Sequence, residues 1–289
     1  MQQTVNTLPT KALPPEGSRG ANHRAPQQHL TGEPSAKERL KKHYRIIRIL
    51  HLLWMIALLS ACGPIHTTPT PTQMPHFDAQ EVSFTTEDGL QIYGKIYRGG
   101  RDLAVILAHQ RDKMATQKSW QFFAELLATK GYTALTYDFR GIGRSEGDIN
   151  YMESEIVKDT SAAIEFLQSQ GFSRIVCIGA SMGGTSCMEA ALHHDLQGLV
   201  VIAAPMSLGE PTKITMEDLK ALTVPKLFIC TENDRFGRIP KHTQLMYDNS
   251  PEPKQLKFFT GNAHGTELFY TSHKEEFRQL LLDFLEDLP

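Results

Sequence analysis

Three observations predict an α/β architecture for this chain, with a mostly parallel central sheet and helices on both faces. Strand-like and helix-like segments alternate from about residue 77 to residue 289. Several of the strand-like segments are unbroken apolar runs, as strands covered on both faces require. Two helix-like segments stop at glycines, Gly131 and Gly171, where a left-handed residue is tolerated.

The elements follow in order. EVSFTT and LQIYGKIYR flank the turn at Glu87-Asp88-Gly89 and read as an antiparallel opening pair. LAVILAH (103–109) is a buried parallel strand, and SWQFFAELLATKG (119–131) carries apolar residues at helical spacing up to Gly131. YTALTYD (132–138) is a strand, 152–170 a long helix ending near Gly171, and RIVCIG (174–179) a strand. GGTSCMEAALHH (183–194) is a helix, and GLVVIAA (198–204) and KLFICT (226–231) are strands. IPKHTQLMYDN (239–249) is a helix, QLKFFT (255–260) a strand, and HKEEFRQLLLDFLEDL (273–288) a closing amphipathic helix. Between 204 and 223 there is room for one short helix near Met216–Leu222, so no large cap domain is expected.

Bulk composition supports a globular domain. Hydrophobic residues make up 40% and charged residues 21%, enough for a full core. A net charge of −2 supplies no broad positive field, which argues against nucleic acid as a partner. No Cys/His cluster has metal-ligand spacing, and no cofactor is expected. Of the four cysteines, three follow residue 62, and they read as small buried thiols.

The N-terminal quarter differs. Residues 1–36 are rich in Pro, Gly, Gln, Thr and Asn and lack apolar periodicity, so disorder is expected. KERLKKHYRIIR, from Lys37 to Arg48, is strongly basic and leads into the apolar run Ile49–Ala61. That run is shorter than the roughly 20 residues of a helical bilayer span and matches the roughly 7–15 of a signal-peptide core. Leu59-Ser60-Ala61-Cys62 resembles the lipobox of bacterial lipoproteins. The resemblance implies export, lipidation at Cys62 and attachment to a membrane. An uncleaved signal anchor and a short buried helix are the other readings of 37–61. Residues 62–76 are Pro- and Thr-rich and read as an extended linker, with the folded domain at 77–289.

The chemistry is concentrated at VCIGASMGGTS (176–186), where a strand ends and a helix begins within a few residues. Such a turn forces strain on Ser181. It also requires residues two positions to either side, Gly179 and Gly183, to lack side chains. The hydroxyl is then lifted to the positive end of a new helix, the mechanical content of a G-x-S-x-G nucleophile elbow. A serine needs a base, and a base is oriented by a carboxylate. His264, between small residues in the loop after QLKFFT, has the right position. His109 reads as structural, His193 and His194 as helix-end residues near terminal carbonyls, and His242 and His273 as helix-surface residues. Asp234, three residues past the strand end at Thr231, is the favoured acid over Glu232.

The elbow, the chain order Ser181, Asp234, His264 and the alternating pattern together resemble the α/β-hydrolase family over about residues 80–289. DFRGIGRSEGD (138–148) is similar to that family's D-x-R-G-x-G-x-S loop, which implies that Asp138, Arg140 and Ser145 hold the loop by hydrogen bonds. The resemblance also implies an oxyanion hole of two backbone N–H groups. One is Met182. The other is Arg111 or Gln110, with Arg111 favoured, because His109-Gln110 stands where many relatives carry His-Gly. The activity implied is hydrolysis of a small acyl ester through an acyl-enzyme, without metal or cofactor. A small exopeptidase of the same fold and a non-catalytic surface-binding lipoprotein are the alternatives.

Overall fold

The computed structural model describes residues 79–111, 116–149, 155–209 and 212–289, together with Lys37, Leu40, Lys41, Tyr44, Arg45 and Arg48, which are helical and exposed. The expectations for residues 1–36, the apolar run, Cys62 and the linker lie outside the described residues. The chain divides into two units, Met1–Thr70 and Pro71–Pro289. Among the described residues no helix is long and apolar enough to cross a membrane.

The second unit is built on one eight-stranded sheet. Its strands are β1 (Gln80–Thr85), β2 (Gln91–Tyr97), β3 (Leu103–Ala108), β4 (Thr133–Tyr137), β5 (Arg174–Ala180), β6 (Gly198–Ile202), β7 (Lys226–Thr231) and β8 (Lys254–Phe259). Their spatial order is β1-β2-β4-β3-β5-β6-β7-β8. β1–β2 and β2–β4 are antiparallel, and every other pair is parallel. The helices are α1 (Gln121–Thr129), α2 (Val157–Ser169), α3 (Met182–Ala190), α4 (Met216–Ala221), α5 (Ile239–Asn249) and α6 (Lys274–Glu286).

The apolar runs explain the layering. Side chains alternate across a strand, so a continuous apolar run feeds a core on each face. In β3, Ala104, Ile106 and Ala108 join the core that packs on α2 and α3. Leu103, Val105 and Leu107 join the opposite core, which packs on α1 and α6. β1 is an edge strand with a mostly exposed face, and only Phe84 in it is buried. Helix α2 starts at Val157, later than the sequence pattern suggests. Between β6 and β7 the described residues hold one short helix, α4, started by a reciprocal hydrogen-bonded cap between Thr215 and Asp218. No large cap stands over the sheet edge in the described residues.

The cysteines depart from expectation. Cys177 on β5 and Cys187 on α3 form a disulfide, with Cα atoms 5.8 Å apart, rather than remaining thiols. The reversal at Ser181 folds α3 back along β5, which brings residues on either side of the turn together. An odd number of cysteines therefore hid a pair. Cys230 stays free and buried, and burial pushes its thiol up to about 12.

Two predictions follow from this packing. The disulfide closes a loop of separation 10, so removing it with Cys177→Ala and Cys187→Ala should cost about 2–3 kcal/mol, read as a lower urea midpoint. The second concerns Glu189 on α3, whose Oε2 is buried without a hydrogen-bond partner among the described residues. Burial, with Asp218 and Glu155 nearby, pushes its carboxyl up to about 7. The folded chain then holds a proton that the unfolded chain has released, so stability falls as pH rises from the ordinary carboxylate range through about 7. Glu189→Gln should raise the Tm by roughly 2–4 °C at about pH 8 and leave it unchanged at about pH 4, a modest effect because the group is only half-buried.

Candidate active site

The site gathers where the parallel strands end. The segments after β3, β4, β5, β7 and β8 all leave from the carboxyl edge of the sheet, the edge where ligands bind in such folds. Each predicted residue can be followed to its place there.

Ser181 joins β5 to α3 with φ 50° and ψ −115°, outside the conformations ordinary side chains prefer. Its N–H is held by the Ile202 carbonyl at 2.7 Å, and its own carbonyl takes the Thr185 N–H at 3.0 Å, the first turn of α3. The glycine requirement is steric. A Cβ on Gly179 would lie 2.2 Å from the Gly183 carbonyl oxygen. A Cβ on Gly183 would lie 2.4 Å from the Ala108 carbonyl oxygen and 2.8 Å from that of His109. So Gly179 lets the helix fold back on its own strand, and Gly183 lets it rest against the end of β3. Met182 is the first residue of α3, so its N–H is among those with no acceptor inside the helix.

His264 follows β8 and precedes a 3-10 helix, Gly265–Tyr270. Its Nδ1 is 2.8 Å from Asp234 Oδ2, and both side chains are buried. With Nδ1–H donating to the carboxylate, Nε2 is left as the acceptor. The other carboxylate oxygen of Asp234 accepts the Phe236 N–H at 2.9 Å. Glu232, the competing acid, is exposed. The loops after β7 and β8 are zipped together. Asn233 N–H bonds the Gly261 carbonyl at 3.1 Å, Arg235 N–H bonds that of Asn262 at 3.2 Å, and the Thr231 hydroxyl bonds that of Ala263 at 2.9 Å.

The loop that carries His264 meets the turn at Ser181 directly. A Cβ on Gly265 would lie 3.3 Å from the Ala180 Cβ, so the residue after His264 adjoins the residue before Ser181.

Sequence reasoning missed three further residues around His264. Glu267 Oε2 accepts the His264 N–H at 2.9 Å, and its other oxygen pairs with Arg235. The ring of Phe236 lies edge-on to the His264 imidazole at 4.5 Å and is 56% exposed. The Arg235 guanidinium stands over the same ring at 4.9 Å. A signal for Glu267 existed in the three-residue spacing of a capping box. Phe236 and Arg235 carried none.

The segment after β3 is arranged by His109. Its Nδ1 lies 2.8 Å from the Gln110 carbonyl, and its Nε2 accepts the Phe139 N–H at 3.3 Å. A backbone N–H can only donate, so Nδ1 carries the proton. Burial lowers the affinity of this ring for a second proton, consistent with a structural role. The Gln110 carbonyl and the Arg111 N–H belong to one planar trans peptide and point in opposite directions. Fixing the first therefore fixes the second. Residues 112–115 of this loop lie outside the described residues.

Asp138, Arg140 and Ser145 hold loops together by hydrogen bonds. Asp138 accepts from Gln117 N at 2.7 Å and Gln117 Nε2 at 2.8 Å. The Ser145 hydroxyl donates to the Asp138 carbonyl at 2.6 Å and accepts the Tyr93 N–H at 3.0 Å. Arg140 Nε donates to the fully buried Asp159 at 2.8 Å, and its Nη1 to Asp88 at 2.9 Å. This ties the β1–β2 turn to α2.

The remaining histidines lie elsewhere. Past the end of α3 the backbone N–H groups of His193 and His194 bond the Ala190 carbonyl at 3.0 Å. His242 Nδ1 accepts the Met206 N–H at 3.4 Å, and His273 bonds the Thr260 hydroxyl at 2.8 Å. Among the described residues no group of His, Cys, Asp and Glu could hold a metal ion.

Comparison with known proteins agrees with this architecture. A family profile described as "Serine aminopeptidase, S33" matches residues 101–217, which include Gln110, Arg111 and Ser181 and stop short of Asp234 and His264. The chain is 26% identical over 168 residues to the quorum-quenching protein AidA of Acinetobacter baumannii, covering 55% of this chain and 53% of that protein. It is 31% identical over 147 residues to the polyketide transferase claH of Penicillium crustosum, covering 46% of each. The matches thus span about half the length of these relatives. Among solved structures, an esterase of Pyrococcus furiosus superposes with a TM-score of 0.63 at 20% identity, over 73% of this chain and 93% of that one. The strand order, the elbow after β5 and this superposition give one conclusion: the chain has the α/β-hydrolase fold.

Proposed function

We propose that the protein is a serine hydrolase that cleaves small carboxylic esters, with Ser181 as nucleophile, His264 as base and Asp234 as its orienting acid. The observation that carries this reading is the buried 2.8 Å contact between His264 Nδ1 and Asp234, at the sheet edge that also holds the strained Ser181. A hydroxyl at the positive end of a helix and an imidazole with its Nε2 left free are the two groups that acyl transfer needs.

His264 Nε2 takes the proton of Ser181 Oγ as Oγ bonds to the carbonyl carbon. The negative oxygen of the tetrahedral intermediate is met by the Met182 N–H and by a second N–H from the β3 loop, Arg111 rather than Gln110. The peptide plane held by His109 supports Arg111. The carbon–alkoxide bond breaks, and the alcohol leaves with the proton from His264. Water then gives a proton to His264 and its oxygen to the acyl carbon; the bond from that carbon to Oγ breaks, Oγ takes the proton back from His264, and the acid leaves. Loss of one oxyanion donor should cost about 10²–10³ in kcat.

Substrate size follows from what covers the site. Only α4 lies between β6 and β7 among the described residues, which favours accessible, short acyl groups over long lipids. A second reading, cleavage of an aminoacyl amide, is favoured by the description of the matching family profile. We also infer export and attachment to a membrane through Cys62. Support comes from the Cys177–Cys187 disulfide, since such bonds persist in oxidising compartments.

Purified protein should hydrolyse para-nitrophenyl acetate and butyrate and react with a fluorophosphonate probe. Ser181→Ala should abolish the labelling and lower kcat at least about 10³-fold. A wild-type rate equal to that of Ser181→Ala would overturn the esterase reading. Faster turnover of aminoacyl para-nitroanilides than of the esters would favour the peptidase. A chain that binds neither substrate nor probe would be the surface-binding alternative. In a bacterial host, labelled palmitate should enter the wild type and not Cys62→Ala, and equal absence from both would remove the lipid anchor.

A further inference from the structure

Gln110 stands at the end of β3 beside the loop that carries the second oxyanion donor, and its side chain is 3% exposed. Its Oε1 accepts the backbone N–H of Thr266 at 2.8 Å and the Thr266 hydroxyl at 3.1 Å. Thr266 lies two residues beyond His264. The two residues are 156 positions apart in the chain, so this contact joins two site loops that share no local connection.

The amide's orientation is determined by chemistry. A backbone N–H can only donate, so the atom facing it is the carbonyl oxygen. The backbone of Gln110 is held as well, because its carbonyl accepts from His109. Main chain and side chain of one residue are thus fixed in two directions, toward the donor loop and toward the base loop. The intervening backbone has adapted to this contact. A Cβ on Gly265 would lie 2.1 Å from Gln110 Oε1 and 3.3 Å from the Ala180 Cβ. Gly265 also has φ 58°, which favours glycine. The Gln110 amide, Gly265 and the residue before Ser181 therefore form one close contact.

We propose that Gln110 is a positioning residue, whose side-chain amide sets the placement of the His264 loop relative to Ser181 and to the oxyanion donors. This rests on the serine-hydrolase reading of the site. Gln110 touches no reacting atom in this account and acts through Thr266. A glycine at this position, as in the His-Gly pattern, would leave the Thr266 N–H without this acceptor. The glutamine is thus the side chain that couples base to oxyanion hole.

The test compares Gln110→Leu, Gln110→Glu and Thr266→Val with the wild type, using para-nitrophenyl butyrate and a check of folding by circular dichroism. Gln110→Leu fills the space but cannot accept, and should lower kcat about 10–100-fold with KM changed less than about threefold. Gln110→Glu keeps an acceptor oxygen and should recover most of that loss. Thr266→Val removes only the hydroxyl bond and should lower kcat by about threefold to tenfold at unchanged KM. Wild-type kcat in folded Gln110→Leu would overturn the proposal. So would a Gln110→Glu as slow as the leucine variant. If Gln110→Leu does not fold, Thr266→Val decides, with wild-type kcat overturning the proposal and the smaller loss supporting it. Absence of Ser181-dependent hydrolysis in the wild type would instead overturn the functional reading, and the role of Gln110 with it.

Discussion

A non-glycine residue held at φ 50° and ψ −115° costs on the order of 1–3 kcal/mol, and Ser181 keeps that conformation because its surroundings over-determine it. Its N–H and carbonyl are both bonded, and the packing of α3 against β5 and β3 leaves no room for the backbone to relax. The glycines at 179 and 183 make that packing possible by removing the atoms that would collide. The disulfide between Cys177 and Cys187 then closes the turn from both sides. Every other feature of the site is arranged around a hydroxyl held at that point.

The arrangement is a set of loops tied to one another rather than to the substrate. The loops after β7 and β8 are joined by backbone bonds and by the Arg235–Glu267 pair. The residues after β3 are held by His109 from one side and Gln110 from the other. Asp138 after β4 grips Gln117, and Arg140 anchors the neighbouring turn to Asp88 and Asp159. In the proposed reaction a constellation held this way would be set before substrate arrives, and pre-organised donors and bases are what stabilise developing charge without reorganisation. The exposed Phe236 ring against His264 forms an apolar wall beside the imidazole.

Much of this was legible because its signals are local. Unbroken apolar runs read as two-faced strands, and β3 does feed both cores. The elbow was legible because strand, small residues and helix fall within eleven positions. Asp234 and His264 were legible because each lies in a short loop just past a strand end. What could not be read depends on distant parts meeting. No pattern in the sequence links Gln110 to Thr266, and they meet only because the loops after β3 and β8, with three strands between them in the sheet, fold to the same edge. The disulfide was hidden for a related reason, since pairing follows from the sharpness of the turn at Ser181 and not from cysteine spacing. The beginning of α2 differs from the expected one, since Glu155 and Ile156 stand just ahead of the helix rather than in it.

In the proposed reaction a hydroxyl, an imidazole and a carboxylate from three strand ends act on one acyl group. The most direct measurement is a crystal structure of the protein after reaction with a phosphonate inhibitor. Phosphorus should be bonded to Ser181 Oγ, with a phosphoryl oxygen within about 3 Å of the Met182 N–H. His264 Nε2 should be directed at the adduct while Nδ1 stays on Asp234. An adduct on any other residue, or a His264 ring turned away from residue 181, would contradict the proposed reaction.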